Sequence, residues 1–236
     1  MEAWHRPLPG GGSVQVRATD RADGDLRVDG DPSTLAARRR GVVDLPWVWL
    51  RQVHGADVVV VDSDDDVAEL VGTAADALVT TRRDVALAVH GADCGIVAFS
   101  SPEGVIGVAH AGWRGLRAGV IGAVAATMRG QGASRIEAVL GPCIGPACYE
   151  FAPDQLAELG AALGADIAGS TRWGTPALDL PAALDHALAA ADVDVVGRSR
   201  RCTACAADEL WSFRARRDDA RQAVVVWQRP STGGDE

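Results

Sequence analysis

Short apolar runs separated by turn residues constrain the fold of this chain most. "IVAF" (Ile96 to Phe99) and "VIGVA" (Val105 to Ala109) flank a short connection, Ser100 to Gly104, that contains proline and glycine. This pattern predicts a β-hairpin. Other short runs rich in β-branched or aromatic residues predict further strands: "WVWL", "DVVVVD", "VALAV", "IEAVL", "VDVV" and "QAVVVW".

Helical patterns lie between these runs. Asp31 as cap, Pro32 at the first position and Gly41 beyond the end predict one short helix. Two more helices are predicted over Pro153 to Leu163 and from the cap residue Asp179 onward. A further helix is predicted by apolar residues that share one face: Leu116, Val120, Ile121, Val124 and Met128.

Strands outnumber helices in this interpretation, and several neighbouring strands look antiparallel. The chain is therefore not a simple alternation of strands and helices. No segment reads as a linker, so the sequence predicts a single α/β domain over residues 1–236.

The composition excludes several classes of protein. The 236 residues carry a formal net charge of −9, which argues against non-specific nucleic-acid binding because phosphates attract a positive surface. All 23 basic residues are arginine, which excludes Schiff-base chemistry and the lysine of phosphate loops and kinases. With no apolar run of about 18 residues and no secretory signal, we expect a cytoplasmic protein with reduced cysteines.

Two histidines and a cysteine form a candidate metal site. We place Phe99 opposite Val105 in the hairpin, and this register sets Cys94 opposite His110. Opposed residues have Cβ atoms about 4.5–5.5 Å apart, a gap that zinc fits with bonds of about 2.3 Å to sulfur and about 2.0 Å to nitrogen. His54, in the polar turn "QVHG", is a candidate third ligand. Three protein ligands with an open fourth position are typical of catalytic zinc.

Spacing alone leaves two alternatives open for these residues. Cys94 and His110 also suit a cysteine nucleophile with its base. A third interpretation is inert packing, because cysteine often behaves as a small buried hydrophobe and an isolated histidine is more often structural.

The remaining cysteines and one arginine are weaker signals. Cys202 and Cys205 form a single CxxC motif, whereas zinc sites usually need two such pairs. Cys143 and Cys148 would complete four ligands, but apolar packing or loop roles are the stronger expectation. Arg114 opens a helix, where free N–H groups and the dipole attract a phosphate or carboxylate. The alternative for Arg114 is an ion pair with one of the many carboxylates.

Six segments carry a family resemblance: "RQVHGADVVVVD", "ADALVTTRRDVALAVHGADC", "GVIGVAHAGWRG", "LGPCIGPACYEF", "LDL" and "CTACAADELWSFR". Their order resembles that of the YfiH or laccase-domain family, from about Arg51 to Trp227, whereas residues 1–50 match poorly. Members of this family are described as multicopper-oxidase-like, as purine nucleoside phosphorylases and as peptidoglycan editing factors.

The resemblance implies mixed β-sheet layers flanked by helices, in an α-β-β-α arrangement. It implies that His54, Cys94 and His110 are catalytic and bind Zn²⁺, with copper as the alternative metal. The implied activity is phosphorolysis of adenosine, inosine and methylthioadenosine to base and ribose 1-phosphate, with adenosine deamination as a further activity.

We therefore predict a zinc-dependent purine nucleoside phosphorylase whose substrate- or phosphate-binding residues are Arg114, Arg214 and Gln52. The expected partners are a small nucleoside and phosphate, with no nucleic acid or membrane, and the chain is expected to be a monomer or homodimer. Three alternatives stay open: a cysteine hydrolase acting on peptidoglycan precursors, a copper-dependent polyphenol oxidase, and a nucleoside-binding module without turnover.

Two segments depart from the family pattern. Proline usually follows "TADC" in the family, whereas this chain has "GADCGI" with His90 nearby, which we do not expect to be a metal ligand. The segment "SFRARRDDARQAV" keeps Arg214 and Arg221 but has Ala215 and Arg216 where the family has arginine and aspartate. If this segment holds phosphate or ribose, substrate preference differs accordingly.

Overall fold

Two β-sheets packed face to face form the centre of the molecule. A computed structural model describes residues 2–231, and all elements below lie in that range. The strands are β1 Glu2–Pro7, β2 Ser13–Ala18, β3 Trp47–Trp49, β4 Val58–Val61, β5 Ala77–Thr80, β6 Ala86–Gly91, β7 Gly95–Ser100, β8 Ile106–Ala111, β9 Ile136–Leu140, β10 Ala168–Ser170, β11 Pro176–Leu178, β12 Val193–Arg198 and β13 Gln222–Arg229. The helices are α1 Pro32–Val42, α2 Val67–Leu70, α3 Trp113–Ala118, α4 Val120–Gly130, α5 Pro153–Leu163, α6 Leu180–Ala190 and α7 Phe213–Arg216.

Both large sheets are mixed. The six-stranded sheet has the order β12-β9-β7-β8-β5-β4, and the five-stranded sheet has the order β1-β2-β13-β6-β3. The pairs β12–β9, β4–β5 and β3–β6 are parallel, and the other pairs in these two sheets are antiparallel. The connections β3–β4 and β6–β7 each cross from the five-stranded sheet to the six-stranded sheet, and both carry residues of the candidate site.

Three apolar clusters separate four layers. Alternate residues of one strand enter different clusters, because side chains of a strand point to opposite faces. Ile96 and Ala98 pack between the two sheets, whereas Val97 and Phe99 pack against α3, α4 and α6. A third cluster lies on the outer face of the five-stranded sheet and includes Val42 of α1. The predicted α/β fold with sheet layers flanked by helices is confirmed.

The hairpin forms as predicted, but the predicted register is wrong. Phe99 pairs with Gly107 instead of Val105, and His110 pairs with Ile96 instead of Cys94, which precedes β7. The turn begins one residue later than predicted, because the N–H of Ser101 donates to the Val105 carbonyl over 2.9 Å and keeps Val105 in the loop. Since side chains alternate, a shift of two residues leaves His110 on the predicted face of its strand.

The predicted helices are present, with two corrections. The side chain of Asp31 caps α1 by accepting the Thr34 N–H over 2.9 Å, but α1 continues through Gly41. The predicted apolar face after His110 is buried, yet it belongs to two helices, α3 and α4. They are separated at Gly119, whose left-handed φ of 87° suits glycine. No helix in the described residues is long and apolar enough to cross a membrane.

Candidate metal centre

His54, Cys94 and His110 meet at the edge where the chain crosses between the sheets. His54 lies in the β3–β4 connection, Cys94 in the β6–β7 connection and His110 near the end of β8. One ligand atom from each residue lies within 4.8 Å of those from the other two. Cys94 Sγ is 3.9 Å from His54 Nε2, and the two imidazole rings meet nearly edge to face, with centroids 4.7 Å apart. The structure therefore brings the three predicted ligands together.

Asp76, which directly precedes β5, organises two of these residues. Its Oδ1 lies 2.8 Å from His110 Nδ1 and accepts the His54 N–H over 2.9 Å. Its Oδ2 accepts the backbone N–H groups of Val53 and Gly55 over 3.2 and 2.6 Å. With its Nδ1 occupied by the carboxylate, His110 presents Nε2 to the centre. This carboxylate–histidine pairing is the usual support of a metal-binding imidazole.

The electrostatics of the centre favour charged forms. Burial acts to raise the pKa of Cys94, but the charge and hydrogen bond of His110 and the hydrogen bond to His54 outweigh it and lower that pKa. Burial acts to lower the pKa of His110, but the Cys94 thiolate and Asp76 outweigh it and raise that pKa. Burial likewise acts to raise the pKa of Asp76, and the hydrogen bonds from His110, Gly55 and His54 lower it. These opposite shifts favour a thiolate beside an imidazolium.

Backbone strain is concentrated at this centre. Two of the four non-glycine residues with positive φ in the described chain are His54, at 61°, and Asp93, at 114°. Such conformations cost about 1–3 kcal/mol each and persist only where the surroundings hold them. Asp76 holds His54, and the Asp93 carboxylate accepts the Thr203 hydroxyl and the Arg214 N–H, each over 2.6 Å. The backbone around both ligands is therefore fixed by distant parts of the chain.

Gly112 leaves room for the sulfur. A Cβ atom at this position would lie 2.9 Å from Cys94 Sγ and 3.2 Å from His54 Cδ2. Real Cβ atoms essentially never approach another heavy atom within 3.0 Å, so any larger residue would displace a candidate ligand. The backbone φ of −67° itself would accept alanine, so the requirement for glycine is steric contact with the site.

A cavity of about 450 Å³ opens onto the three ligands. Its lining combines the candidate ligands with cationic, polar and aromatic groups: Arg27, Val28, Leu50, Arg51, Gln52, His54, His90, Gly91, Ala92, Cys94, His110, Phe213 and Arg221. Arg27 pairs with Asp29 over 3.0 Å, whereas Arg51 has no carboxylate partner in the described chain. The cavity is therefore suited to an anionic ligand.

His90 is the least satisfied polar group of this cavity. Its side chain is buried, and neither ring nitrogen has a hydrogen-bond partner in the described residues. Burial, followed by the charges of Arg39, His110 and Arg221, lowers its pKa to about 3, so the ring is neutral at ordinary pH. It lies outside the metal-ligand group, as the sequence predicts.

Of the three predicted substrate-binding residues, one lines this cavity and two lie outside it. Gln52 lines the cavity, but its side-chain amide is held by the His90 backbone through bonds of 2.7 and 2.8 Å. Arg114 does not line the cavity; it is exposed, and its guanidinium lies 4.5 Å from the Trp113 ring centre. Arg214 also lies outside, in a second cavity of about 510 Å³, with its guanidinium 5.0 Å from the Tyr149 ring centre.

Sequence reasoning missed three residues of this site. Asp76 stands in the family-like segment "ADALVTT", but an aspartate before a strand carries no separate local signal. Arg51 is adjacent to the "QVHG" turn, and that proximity was a usable signal. Arg27 lies outside the segments that carry the motif resemblance, and only folding brings it to the cavity.

The chain belongs to the family described as multi-copper polyphenol oxidoreductase laccase, whose model matches residues 12–229. The match therefore begins well before Arg51, where the motif resemblance starts, and it includes β2 and α1.

Relatives of this chain are named as enzymes of nucleoside metabolism. A Streptomyces griseus protein named purine nucleoside phosphorylase is 39% identical, and the alignment covers 96% of this chain and 99% of that protein. A Streptomyces coelicolor protein with the same name is 42% identical, covering 82% of this chain and 79% of that one. The crystal structure of YlmD from Geobacillus stearothermophilus is 29% identical, with a TM-score of 0.76, covering 93% of this chain and 92% of that one.

Proposed function

We propose that this chain is a zinc-dependent purine nucleoside phosphorylase. The observation that carries the proposal is that His54, Cys94 and His110 open into the same cavity as three arginines. The names of the two Streptomyces relatives support the reaction type.

The donor set fits zinc. One thiolate and two imidazoles are ligands that zinc accepts at about 2.3 and about 2.0 Å, and the separations within 4.8 Å allow one ion to reach all three. Asp76 holds His110 in the orientation that such a ligand needs. When bound, zinc would supply a Lewis acid at this end of the cavity, where the described residues offer three ligands.

The cavity arginines suit the phosphate. Arg51 is the strongest candidate because its guanidinium has no carboxylate partner in the described residues and it stands three positions from His54. Arg221 also lines the cavity, although its Nη1 already donates to the carbonyls of Asp218, Asp219 and Ala220. Arg114 and Arg214 remain predicted phosphate ligands, but both lie outside this cavity in the structure.

The reaction needs phosphate and nucleoside held in line. A phosphate oxygen forms the new bond to C1′ while the bond from C1′ to the purine nitrogen breaks. The bonding electrons leave with the purine, which then takes up a proton. Because the arginines concentrate the anion beside the sugar, the chain contributes mainly positioning and charge stabilisation.

Two further cavity residues suit the nucleoside. Phe213 is exposed and lines the cavity, so its ring offers a surface for a purine. His90 offers one N–H donor and one acceptor nitrogen, neither with a partner among the described residues. We propose adenosine, inosine and methylthioadenosine as substrates, and no nucleic acid or membrane partner.

A direct assay tests the proposal. Zinc-loaded protein incubated with adenosine and phosphate is expected to release adenine and ribose 1-phosphate, measured by chromatography, with no base release when phosphate is omitted. Cys94→Ala is expected to abolish the reaction. Absence of base release from the zinc-loaded protein, under conditions in which the Streptomyces griseus relative is active, would refute it.

Two matched variants assign the phosphate ligand. Arg51→Ala is expected to raise KM for phosphate about tenfold or more, because a guanidinium–phosphate contact is charge-assisted. Arg114→Ala is expected to change this KM little, since the side chain does not line the cavity. If Arg114→Ala raised this KM and Arg51→Ala did not, the phosphate would be assigned to the helix that follows His110. Inosine formed from adenosine without phosphate would indicate the adenosine deamination that the family resemblance implies.

A cysteine hydrolase acting on peptidoglycan precursors is the second candidate, and the thiolate–imidazolium pairing of Cys94 and His110 favours it. In that reaction Cys94 would attack an amide carbon and His110 would protonate the departing amine. Such an activity would survive a chelator and be lost with iodoacetamide, whereas the phosphorylase is expected to be lost with the chelator. Metal analysis also distinguishes zinc from copper, and copper with phenol oxidation would favour a polyphenol oxidase.

A further inference from the structure

A second group of sulfur ligands lies outside the site described above. Cys148, Cys202 and Cys205 each place Sγ within 4.8 Å of the other two, and Cys148 Sγ is 3.4 Å from Cys205 Sγ. Cys148 ends a short turn, Pro146–Cys148, in the loop after β9, whereas the other two form the CxxC motif after β12. Residues more than fifty positions apart are thus brought into one sulfur cluster.

The backbone around the cluster is already arranged for it. The CxxC segment closes a tight turn, in which the N–H groups of Cys205 and Ala206 donate to the Cys202 carbonyl over 3.1 and 2.9 Å. The Gly145 N–H donates to Cys202 Sγ over 3.2 Å. Hydrogen bonds from backbone N–H groups to ligand sulfurs orient and support metal-bound cysteines. The sulfur positions therefore need little rearrangement to share one ion.

Charge also favours a metal complex here. Three thiolates around a divalent ion leave one net negative charge, which needs a nearby cation. Arg172 supplies it: the guanidinium contacts Cys148 Sγ and lies 3.3 Å from Cys205 Sγ. Arg172 is held in place by the Ala147 carbonyl, which accepts its backbone N–H over 3.0 Å. No carboxylate in the described chain competes for this guanidinium.

We propose that Cys148, Cys202 and Cys205 form a second, structural metal site that takes a thiophilic divalent ion of the zinc type. Ligand sulfurs at a tetrahedral zinc ion stand about 3.8 Å apart, close to the separation of Cys148 and Cys205 and far from the length of a sulfur–sulfur bond, about 2.05 Å. Cys205 is exposed, so an ion would reach the cluster from solvent.

The cysteine cluster also supports the candidate metal centre that contains Cys94. Thr203 stands between two of the cysteines, and its hydroxyl donates to Asp93, the strained neighbour of Cys94. Its N–H donates to the Cys143 carbonyl over 3.1 Å, which ties the CxxC loop to the loop after β9. An ion in the cysteine cluster therefore stabilises the loop that positions Asp93.

Metal counting in single variants tests this site independently of any enzyme activity. Protein purified with a reductant and saturated with zinc is expected to hold about two ions per chain. Cys94→Ser and Cys205→Ser are each expected to hold about one, and the double variant none. Because Cys205 is exposed, its replacement by serine is not expected to disturb folding, which circular dichroism checks. Cys143→Ser is the matched control and is expected to keep both ions, since Cys143 lies outside the group.

Cobalt substitution separates the two sites spectroscopically. Sulfur-to-cobalt charge-transfer absorption scales with the number of thiolate ligands, so the Cys94→Ser protein is expected to keep most of the wild-type signal. Cys205→Ser is expected to lose a larger share than Cys94→Ser. A Cys94→Ser protein without bound metal would overturn the proposal, as would a Cys148–Cys205 disulfide found by mass spectrometry under reducing purification. Loss of one ion in Cys143→Ser, with circular dichroism unchanged, would overturn the three-cysteine ligand set.

Discussion

Replacing Asp76 by asparagine tests the support of the candidate metal centre without changing any of its three candidate ligands. The carboxylate accepts four hydrogen bonds, two at each oxygen: those at Oδ1 come from His54 and His110, and those at Oδ2 from Val53 and Gly55. Asparagine keeps one accepting oxygen, and its NH₂ group cannot accept. Whichever way the amide is turned, two of the four donors lose their partner.

The loss of these hydrogen bonds determines the expected decreases in unfolding free energy and in metal affinity. A donor left without its acceptor costs about 1–3 kcal/mol when buried, so we expect the free energy of unfolding to fall by at least about 2 kcal/mol. Loss of the group that orients a metal-binding histidine typically lowers metal affinity about 10–100-fold, or about 1.4–2.7 kcal/mol. Both effects should occur without removal of any of the three candidate ligands.

Two measurements and one control decide the outcome. Urea unfolding of the zinc-free protein gives the stability change, and competition with a chromophoric chelator gives the zinc dissociation constant. Asp57→Asn is the matched control, because Asp57 lies in the same loop as His54, is exposed and makes no side-chain hydrogen bond or ion pair in the described residues. Zinc affinity of Asp76→Asn within twofold of the wild-type value would refute the role assigned to Asp76.

Three further predictions concern positions around the site and the fold. Gly112→Ala is expected to weaken zinc binding about tenfold or more, since the added Cβ would meet Cys94 Sγ at 2.9 Å. Gly122→Ala is the control, because a Cβ there would have no atom within 4 Å. Equal zinc affinities of the two variants would contradict the steric argument. His90 has a folded pKa of about 3 against an ordinary value of 6.5, so the unfolded chain binds the proton more readily and stability falls as the pH drops below about 6.5. Wild type should therefore lose about 2 kcal/mol relative to His90→Gln by pH 5 in denaturant titrations, and parallel curves would exclude a buried neutral imidazole. The Asp179 carboxylate caps α6 by accepting the Ala182 N–H over 3.0 Å. Asp179→Ala should therefore lower the free energy of unfolding by about 1 kcal/mol, and an unchanged midpoint of denaturant unfolding would contradict this prediction.

Local patterns predicted most of the secondary structure correctly. β-branched runs identified strands such as β4 and β7, and the residues Asp31, Pro32 and Asp179 marked true helix starts. These features depend on residues close in sequence, where the periods of strand and helix and the geometry of caps operate. Strands β1, β2, β5, β10 and β11 were missed. Strands β2 and β5 pair with the distant strands β13 and β8, whereas β1–β2 and β10–β11 are hairpins whose sequence patterns are weak.

The proximity of the three candidate ligands was predictable for two different reasons. The hairpin prediction placed Cys94 and His110 at the same end of two adjacent strands, and they lie at that end in the structure, although His110 pairs with Ile96 and Cys94 precedes β7. His54 was inferred from its polar turn and from family resemblance, since no local rule links it to strands forty residues away.

The sequence by itself determined the residue types that can hold a metal, the absence of lysine chemistry, the hairpin and the apolar faces of the helices. Only the tertiary structure decided that Asp76 supports His110, that Arg51 instead of Arg114 shares the cavity with the ligands, and that three cysteines from two loops form a second cluster. The physical reason is that these relations depend on how the two sheets pack and where the chain crosses between them. Packing of this kind joins segments far apart in sequence, and local periodicity carries no information about it.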